Sequence, residues 1–514
     1  MRMLVMCVAN SARSQMAEGW VRALATDAVE VHSAGSHPTK PRPEAIAVMA
    51  EVGIDLSGHR SKRAADLPRP HLVATLCAEE VCPVYPGGVE HISWATEDPA
   101  SDTGTMAERL ARFRIARDHI GDVVADFLRQ RGLARRFGAA VRDQFALDPD
   151  IAFLNHGSFG ATPRSVLAAQ AEWIAQLEAA PVRFMLRQPE RVQAVTARLA
   201  ALLGCAAPHL TMVANASTAV AAVLRSQDLG PGDTIVTTTH AYEAVNRLLA
   251  FVAARSGARV VAIPIPFPLA DPDEVVAAVA AGWPDGAKLA VFDHITSGTG
   301  LHLPIAQLVA LSRARGVPVF VDAAHAPGHT PVNLRALGAD YWTGNIHKWL
   351  FAPKGCAVLY ARPEHHDTLH PLVISLGHGQ GLQSAFGWQG TRDPSPWLAA
   401  GAALDFAEAH GLDAIRAHNA LLRQSAGERV AAALGADPMA PSSMLRALQT
   451  IPLPATLPGT RAAADDISRR LHDEHRVEAM VLPFDDRLWL RISAQIYNTL
   501  GDYDRLIAGL SAVL

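Results

Sequence analysis

Short apolar runs alternate with longer stretches whose apolar residues recur at helical spacing, and this rhythm runs along most of the chain. Residues 4–7, 29–32 and 73–76 read as buried strands, and residues 16–25, 44–52 and 106–129 as helices packed against them. Such alternation specifies a small parallel sheet with flanking helices. A basic, weakly apolar passage at 129–142 interrupts the rhythm. It resumes on a larger scale, with buried-strand runs at 151–154, 234–237, 260–264, 289–292 and 317–322 and Ala- and Leu-rich helices between them. The pattern predicts an α/β protein in two parts, residues 1–132 and 145–514, joined by a linker at 133–144.

Composition agrees with two folding units, because 514 residues exceed what one hydrophobic core usually supports. The net charge is −4 with both signs spread along the chain, which points to neither a nucleic-acid nor a membrane partner. No apolar stretch approaches the roughly 20 residues of a spanning helix. The first eight residues lack a basic lead and run directly into a motif, so they read as a strand rather than a signal peptide, and a cytoplasmic protein is expected. Five cysteines make no disulfide framework in a chain of this length, yet Cys7, Cys77 and Cys82 cluster in its first sixth. Cys205 and Cys356 fall in segments that read as core. Lysine is scarce: only Lys40, Lys62, Lys288, Lys348 and Lys354 occur, which narrows the choice of any catalytic amine. The histidines at 365, 366 and 370 lack ligand spacing, and no metal site is expected.

Cys7-Val-Ala-Asn-Ser-Ala-Arg13-Ser14 follows a strand and opens a helix, with five residues between cysteine and arginine. A loop of this length can wrap an oxyanion with successive N–H groups, the helix adds its positive end, and Arg13 can grip two oxygens. The same field stabilises a thiolate at Cys7. The alternative for Cys7 is a small buried hydrophobe at a strand end. Residues 7–19, His-Ser-Ala-Gly (32–35), Glu-Val-Gly-Ile-Asp-Leu (51–56) and Asp98-Pro99 together resemble thioredoxin-coupled arsenate reductases of the low-molecular-weight tyrosine phosphatase fold. The resemblance implies that Cys7 attacks arsenate, that Asn10, Ser11, Arg13 and Ser14 hold the oxyanion, and that Asp98 is the general acid. It further implies a relay through Cys77 and Cys82 to a thioredoxin-like reductant. Taken by itself, Asp98 also reads as a turn starter before proline. The Cys77–Cys82 interval holds four residues, shorter than in that family, which leaves open a non-catalytic oxyanion-binding or redox-sensing module. Tyrosine phosphatase activity is a further alternative.

In the second part, Val-Phe-Val-Asp322-Ala-Ala-His325 ends a buried strand, and Lys348 follows 26 residues after Asp322 in Thr-Gly-Asn-Ile-His-Lys-Trp-Leu. An acid that keeps a pyridine nitrogen protonated, with a lysine that holds an aldehyde as a Schiff base, is the requirement of pyridoxal phosphate chemistry. Asn215, Ser217 and Thr218 precede a helical run and offer a phosphate cradle or a simple helix cap. Arg491 sits in an apolar strand and needs a carboxylate partner or an exit to solvent. With Leu-Asn-His-Gly-Ser-Phe-Gly (154–160), Pro-Val-Arg-Phe (181–184), Asp-His-Ile-Thr-Ser (293–297) and Trp-Gln-Gly-Thr-Arg-Asp (388–393), these segments resemble class V aminotransferase-fold enzymes of the isopenicillin N epimerase-like branch. The resemblance implies a fold-type I homodimer, with a large domain at about 165–395 and a smaller α+β domain from 145–164 and 396–514. It places Lys348, Asp322, His325, Tyr242, Ser217, Thr218, Asn345 and His347 around pyridoxal 5'-phosphate, with Thr391 supplied by the partner subunit. Asn155, His156 and Arg491 would bind the amino-acid substrate. Epimerase, C–S lyase and aminotransferase chemistry all stay open. Persulfide-forming desulfuration is disfavoured, since no cysteine follows Cys356.

Overall fold

The computed structural model describes residues 1–77 and 88–514. The chain divides into two compact units, Met1–Ala140 with His410–Leu421, and Val141–Ala409 with Leu422–Leu514. The sequence reading gave 410–421 to the second part. The structure groups it with the first, where Ala417 is fully buried among the core residues.

In the first unit, β1 (Arg2–Cys7), β2 (Glu30–Gly35), β3 (Leu72–Thr75) and β4 (Glu90–Ser93) form one parallel sheet in the order β2-β1-β3-β4. Strand β4 carries little apolar character and was not expected from the pattern. Helices Arg13–Leu24, Pro43–Glu51 and Met106–Gln130 accompany the sheet. The last begins with a reciprocal cap: the Glu108 amide donates to Thr105 Oγ1 at 3.3 Å, and the Thr105 amide donates to Glu108 Oε2 at 2.7 Å. Met16, Val21, Trp20, Phe113, Ile120 and Val124 fill the core on one side of the sheet.

The second unit is built on a seven-stranded sheet. After β5 (Ala152–Phe153), its strands are β6 (Leu210–Val213), β7 (Thr234–Thr238), β8 (Arg259–Ile263), β9 (Ala287–Asp293), β10 (Val319–Asp322), β11 (Tyr341–Asn345) and β12 (Ala357–Ala361). The order is β6-β12-β11-β10-β9-β7-β8, parallel except at β12, which runs antiparallel to both neighbours. Near-continuous apolar runs in β9, β10 and β12 reflect burial on both faces. Farther along, β13 (Leu448–Pro452), β15 (Met480–Phe484) and β16 (Arg487–Ser493) make an antiparallel sheet, and β14 (Val477–Glu478) pairs with β5. Ala152 and Leu154 share a core with Ile451, Leu490 and Tyr503, so the start of this unit packs with its end. The whole is a fold-type I large domain with a smaller α+β portion. Among the described residues no helix is long and apolar enough to cross a membrane.

Candidate active sites

The parallel strands of the large sheet bring chemistry to their carboxyl ends, where ligands bind in open α/β sheets. β9 ends in Asp293, β10 in Asp322 and β11 in Asn345, and the turn after β11 carries His347 and Lys348. Helix Ala216–Arg225 starts at the same place, capped by Asn215, whose Oδ1 accepts the Thr218 amide at 2.8 Å. Together with Ser217, Tyr242, His325 and Arg491, these groups line a cavity of about 340 Å³.

Two glycines press on the backbone beside Lys348. Gly160 has φ +71°, and a Cβ there would stand 2.3 Å from the His347 carbonyl oxygen. Gly328 has φ +79°, and its Cβ would meet the Trp349 carbonyl oxygen at 2.3 Å. His156 completes the clamp, with Nε2 3.0 Å from the Lys348 carbonyl oxygen and Nδ1 2.8 Å from the Tyr497 hydroxyl. Burial pushes this imidazole down to about 3, so it is neutral. Gly160→Ala combines a left-handed backbone with a backbone clash, and it is expected to cost about 2 kcal/mol or more while releasing cofactor. A thermal midpoint and cofactor content equal to those of the parent would contradict this account of the turn.

The amine itself is poised. Trp349 Nε1–H donates to His325 Nδ1 at 3.3 Å, so the proton of the neutral imidazole sits on Nε2, which faces Lys348 Nζ at 3.2 Å. Burial first, then Lys348 and Arg491, hold His325 well below its ordinary value. Burial, seconded by Arg491 and opposed by Asp322, pushes Lys348 down to about 7. About half of the amine is therefore free base at neutral pH and can accept a hydrogen bond from His325 Nε2–H. Because this value is depressed below that of an unfolded lysine, the unfolded chain binds more protons between about pH 7 and the ordinary lysine range. Cofactor-free protein should gain stability with rising pH across that window. Its rate of cofactor capture should likewise rise with a midpoint near 7. A capture rate still climbing steeply above pH 9 would show an ordinary lysine.

The remaining donors fit a phosphorylated pyridine aldehyde. Asp322 is buried and raised by that burial, and its Oδ1 accepts the Ala324 amide at 3.0 Å, leaving Oδ2 turned to other uses. Asn345 Oδ1 accepts the Ala216 amide at 2.9 Å and so ties β11 to the helix start. His347 Nδ1 lies 2.8 Å from the Cys356 carbonyl oxygen, and burial brings the ring down to about 4. Arg491 is held by the Ser297 carbonyl oxygen at 2.6 Å, Ser158 Oγ at 2.7 Å and Asn155 Oδ1 at 3.0 Å. Its Nε is buried without a partner, a donor left for an incoming carboxylate.

Not every expected residue reaches this wall. Thr218 turns its hydroxyl into the cap, donating to Asn215 Oδ1 at 3.0 Å. Asn155 reaches the site only through Arg491, and His156 only through the Lys348 backbone, since both ring nitrogens are taken. Thr391 is exposed and does not line the cavity of its own chain. Asp293, Ser158 and Ser297 were given no role from sequence, although all three lie in segments that carried the resemblance.

In the first unit, the loop after β1 turns through Asn10, which adopts φ +45°. Asn10 Nδ2 donates to Ser14 Oγ at 2.8 Å, which leaves the Ser14 hydroxyl free to donate to Cys7 Sγ at 3.0 Å. The Lys62 amide braces Asn10 from behind, donating to its Oδ1 at 2.8 Å, and Lys62 Nζ meets buried Glu18 at 3.0 Å. Gly35 closes the back of the loop, where a Cβ would stand 2.5 Å from the Val8 carbonyl oxygen. Arg13 is buried, and donates to the Leu76 and Thr96 carbonyl oxygens at 3.3 and 3.0 Å and to Asp98 Oδ2 at 2.9 Å. Asp98 Oδ1 also accepts the Ala100 amide at 3.1 Å, so the acid starts a turn as well as facing Arg13. Ser11 and Cys77 are buried, and Cys77 belongs to the same core as Cys7. Cys82 lies outside the described residues.

Comparison with known proteins identifies a family for each of the two parts of the chain. Residues 153–474 match the class V aminotransferase family, and residues 2–91 match the low molecular weight phosphotyrosine protein phosphatase family. The chain belongs to the class V aminotransferase family and carries a low-molecular-weight phosphatase domain ahead of it, and the cofactor of its larger unit is pyridoxal 5'-phosphate. It is similar to the isopenicillin N epimerase of Amycolatopsis lactamdurans, 34% identical over 393 residues that cover 72% of this chain and 97% of that protein. It is also similar to the L-cysteine desulfhydrase of Arabidopsis thaliana, 32% identical over 392 residues that cover 69% and 86%. Among solved structures, cysteine desulfurase from Thermococcus onnurineus NA1 superposes with a TM-score of 0.63 at 21% identity, covering 74% of this chain and 98% of that one. A cystine C–S lyase bound to its product cysteine persulfide gives 0.62 at 20% identity, covering 71% and 98%. At that identity these two structures speak for the fold alone.

Proposed function

We propose that the larger unit is a C–S lyase acting on cysteine or a related sulfur amino acid. The observation that carries this reading is the free-base amine of Lys348 beside His325, in a cavity lined by no cysteine among the described residues. Arg491 orients the substrate carboxylate through its unpartnered Nε–H. Lys348 Nζ takes the α-proton, and the His325 Nε2 proton stays close to that nitrogen throughout. When bound, the cofactor serves as the electron sink that makes the α-proton acidic. The C–S bond then breaks with both electrons leaving on sulfur as sulfide, and among the described residues no thiol lines the cavity to attack the substrate sulfur instead. Cysteine and water thus become sulfide, pyruvate and ammonium. Relatives named desulfhydrases, at an identity similar to that of the epimerases, support the C–S lyase reading. Incubating the cofactor-loaded full chain with L-cysteine should release sulfide and pyruvate in equal amounts. Inverted amino acid without sulfide would replace this reading with the epimerase one.

We further propose that the smaller unit reduces arsenate. Cys7 Sγ accepts from Ser14, Arg13 and the loop amides hold the oxyanion, Asp98 supplies a proton, and Cys77 and Cys82 pass oxidation on to a thioredoxin-like reductant. The clustering of three cysteines supports a relay, since a phosphatase needs only one. Arsenate-dependent consumption of reduced thioredoxin by the full chain tests this. Hydrolysis of an aryl phosphate instead would make the unit a phosphatase, and neither activity would make it a binding module.

The protein is proposed to work in the cytoplasm as a homodimer. Exposed Val182, Leu186 and Leu376, at 76%, 79% and 80%, form apolar surface that a second copy would cover.

A further inference from the structure

Asp322 has a neighbour of its own kind. β9 and β10 run parallel, with Asp293 and Asp322 as register partners at the last position of each strand. The His294 amide donates to the Asp322 carbonyl oxygen at 2.8 Å and locks the two strand ends together. Adjacent strands stand about 4.8 Å apart, and register partners project from the same face of a parallel sheet. Both acids line the cofactor cavity and both are buried, at 5% and 4% exposure. Two buried carboxyls on neighbouring strand ends oppose each other's ionisation, which favours a proton on one of them.

Their surroundings decide which. Asp322 has the Ala324 amide on Oδ1 and the field of Lys348 in its favour. Asp293 has no ion pair among the described residues, and its carboxyl is met by the backbone amide of Tyr242. Burial, and then Asp322, drive it well above the usual carboxylate range. The ionisable groups around the pair are Tyr242, His294, His325, Lys348 and Arg491. Of these, His294 and His325, like His347 on the same wall, are neutral by burial, and Lys348 lends its partial charge to Asp322.

We propose that Asp293 is kept as a neutral carboxylic acid whose O–H donates to the open oxygen of Asp322, making it a positioning residue for the acid that holds the ring nitrogen of the cofactor. Asp322 then stays anionic and fixed in direction, while no second negative charge enters the cavity. The inference rests on the assignment of Asp322 to the cofactor and is independent of the C–S lyase reading.

The test uses full-length, cofactor-loaded protein with ¹³C-labelled aspartate and no substrate. Infrared difference spectra between the parent and Asp293→Asn should show the carbonyl stretch of a protonated carboxyl at neutral pH, present in the parent and lost in the variant. Replacing a neutral acid by a neutral amide should leave the pH titration of the cofactor's absorption within about half a pH unit of the parent. A missing band, or a titration displaced by more than that, would mean that Asp293 is ionised and would overturn the proposal. Should Asp293→Asn fail to fold, Asp293→Glu in the same aspartate-labelled protein keeps the test: the labelled band is lost if Asp293 carries the proton and persists if it does not.

Discussion

Replacing Lys348 with alanine should abolish covalent cofactor attachment and lower turnover by at least about 10³-fold, while leaving the protein folded. The two halves of this expectation have one cause. Burial pushes the amine down to about 7, so the fold bears the desolvation of a basic group that an ordinary surface lysine would avoid. Removing it takes away the nucleophile and that desolvation together, and the thermal midpoint of cofactor-free protein should stay level or rise. Borohydride reduction followed by peptide mass analysis gives the direct readout. Cofactor mass should sit on the peptide containing Lys348 in the parent and on no peptide of the variant. Cofactor fixed at Lys354 or Lys288 instead would remove the basis of the larger site.

Replacing Cys7 with serine should lower the proposed arsenate reduction by at least about 10³-fold, because an alcohol is a far weaker nucleophile than a thiol. The hydrogen-bond chain from Asn10 through Ser14 ends on Cys7 Sγ and has no other recipient there. Serine is close in size to cysteine, and Cys7 is nearly fully buried at a strand end, so the loop should keep its shape. Cofactor content of the same preparation controls for folding. Reduction at the parent rate would show that the thiol at position 7 is only a core residue, the plainer of its two readings.

Much of the architecture was legible without coordinates because its signals are local. The strand after Met1, the helix opening at Arg13 and the long helix from Met106 announce themselves by periodicity, which depends on residues a few positions apart. The same holds for β9 and β10, whose unbroken apolar runs mark burial on both faces. Strand β4 escaped notice because Glu90 and His91 give it no such run, and its place at the edge of the sheet requires none.

The chemistry divides along a similar line. Sequence by itself determined the candidates: one thiol in a loop between strand and helix, one strand-end acid, one lysine 26 residues beyond it. Tertiary structure alone decided how each is tuned. That His156 grips the Lys348 backbone rather than a substrate, that Thr218 spends its hydroxyl on a cap, and that Asp293 stands beside Asp322 all follow from strand register and from contacts between residues far apart in the chain. Protonation in a buried site depends on the sum of desolvation and neighbouring charge, and neither quantity exists until the chain has closed around the group.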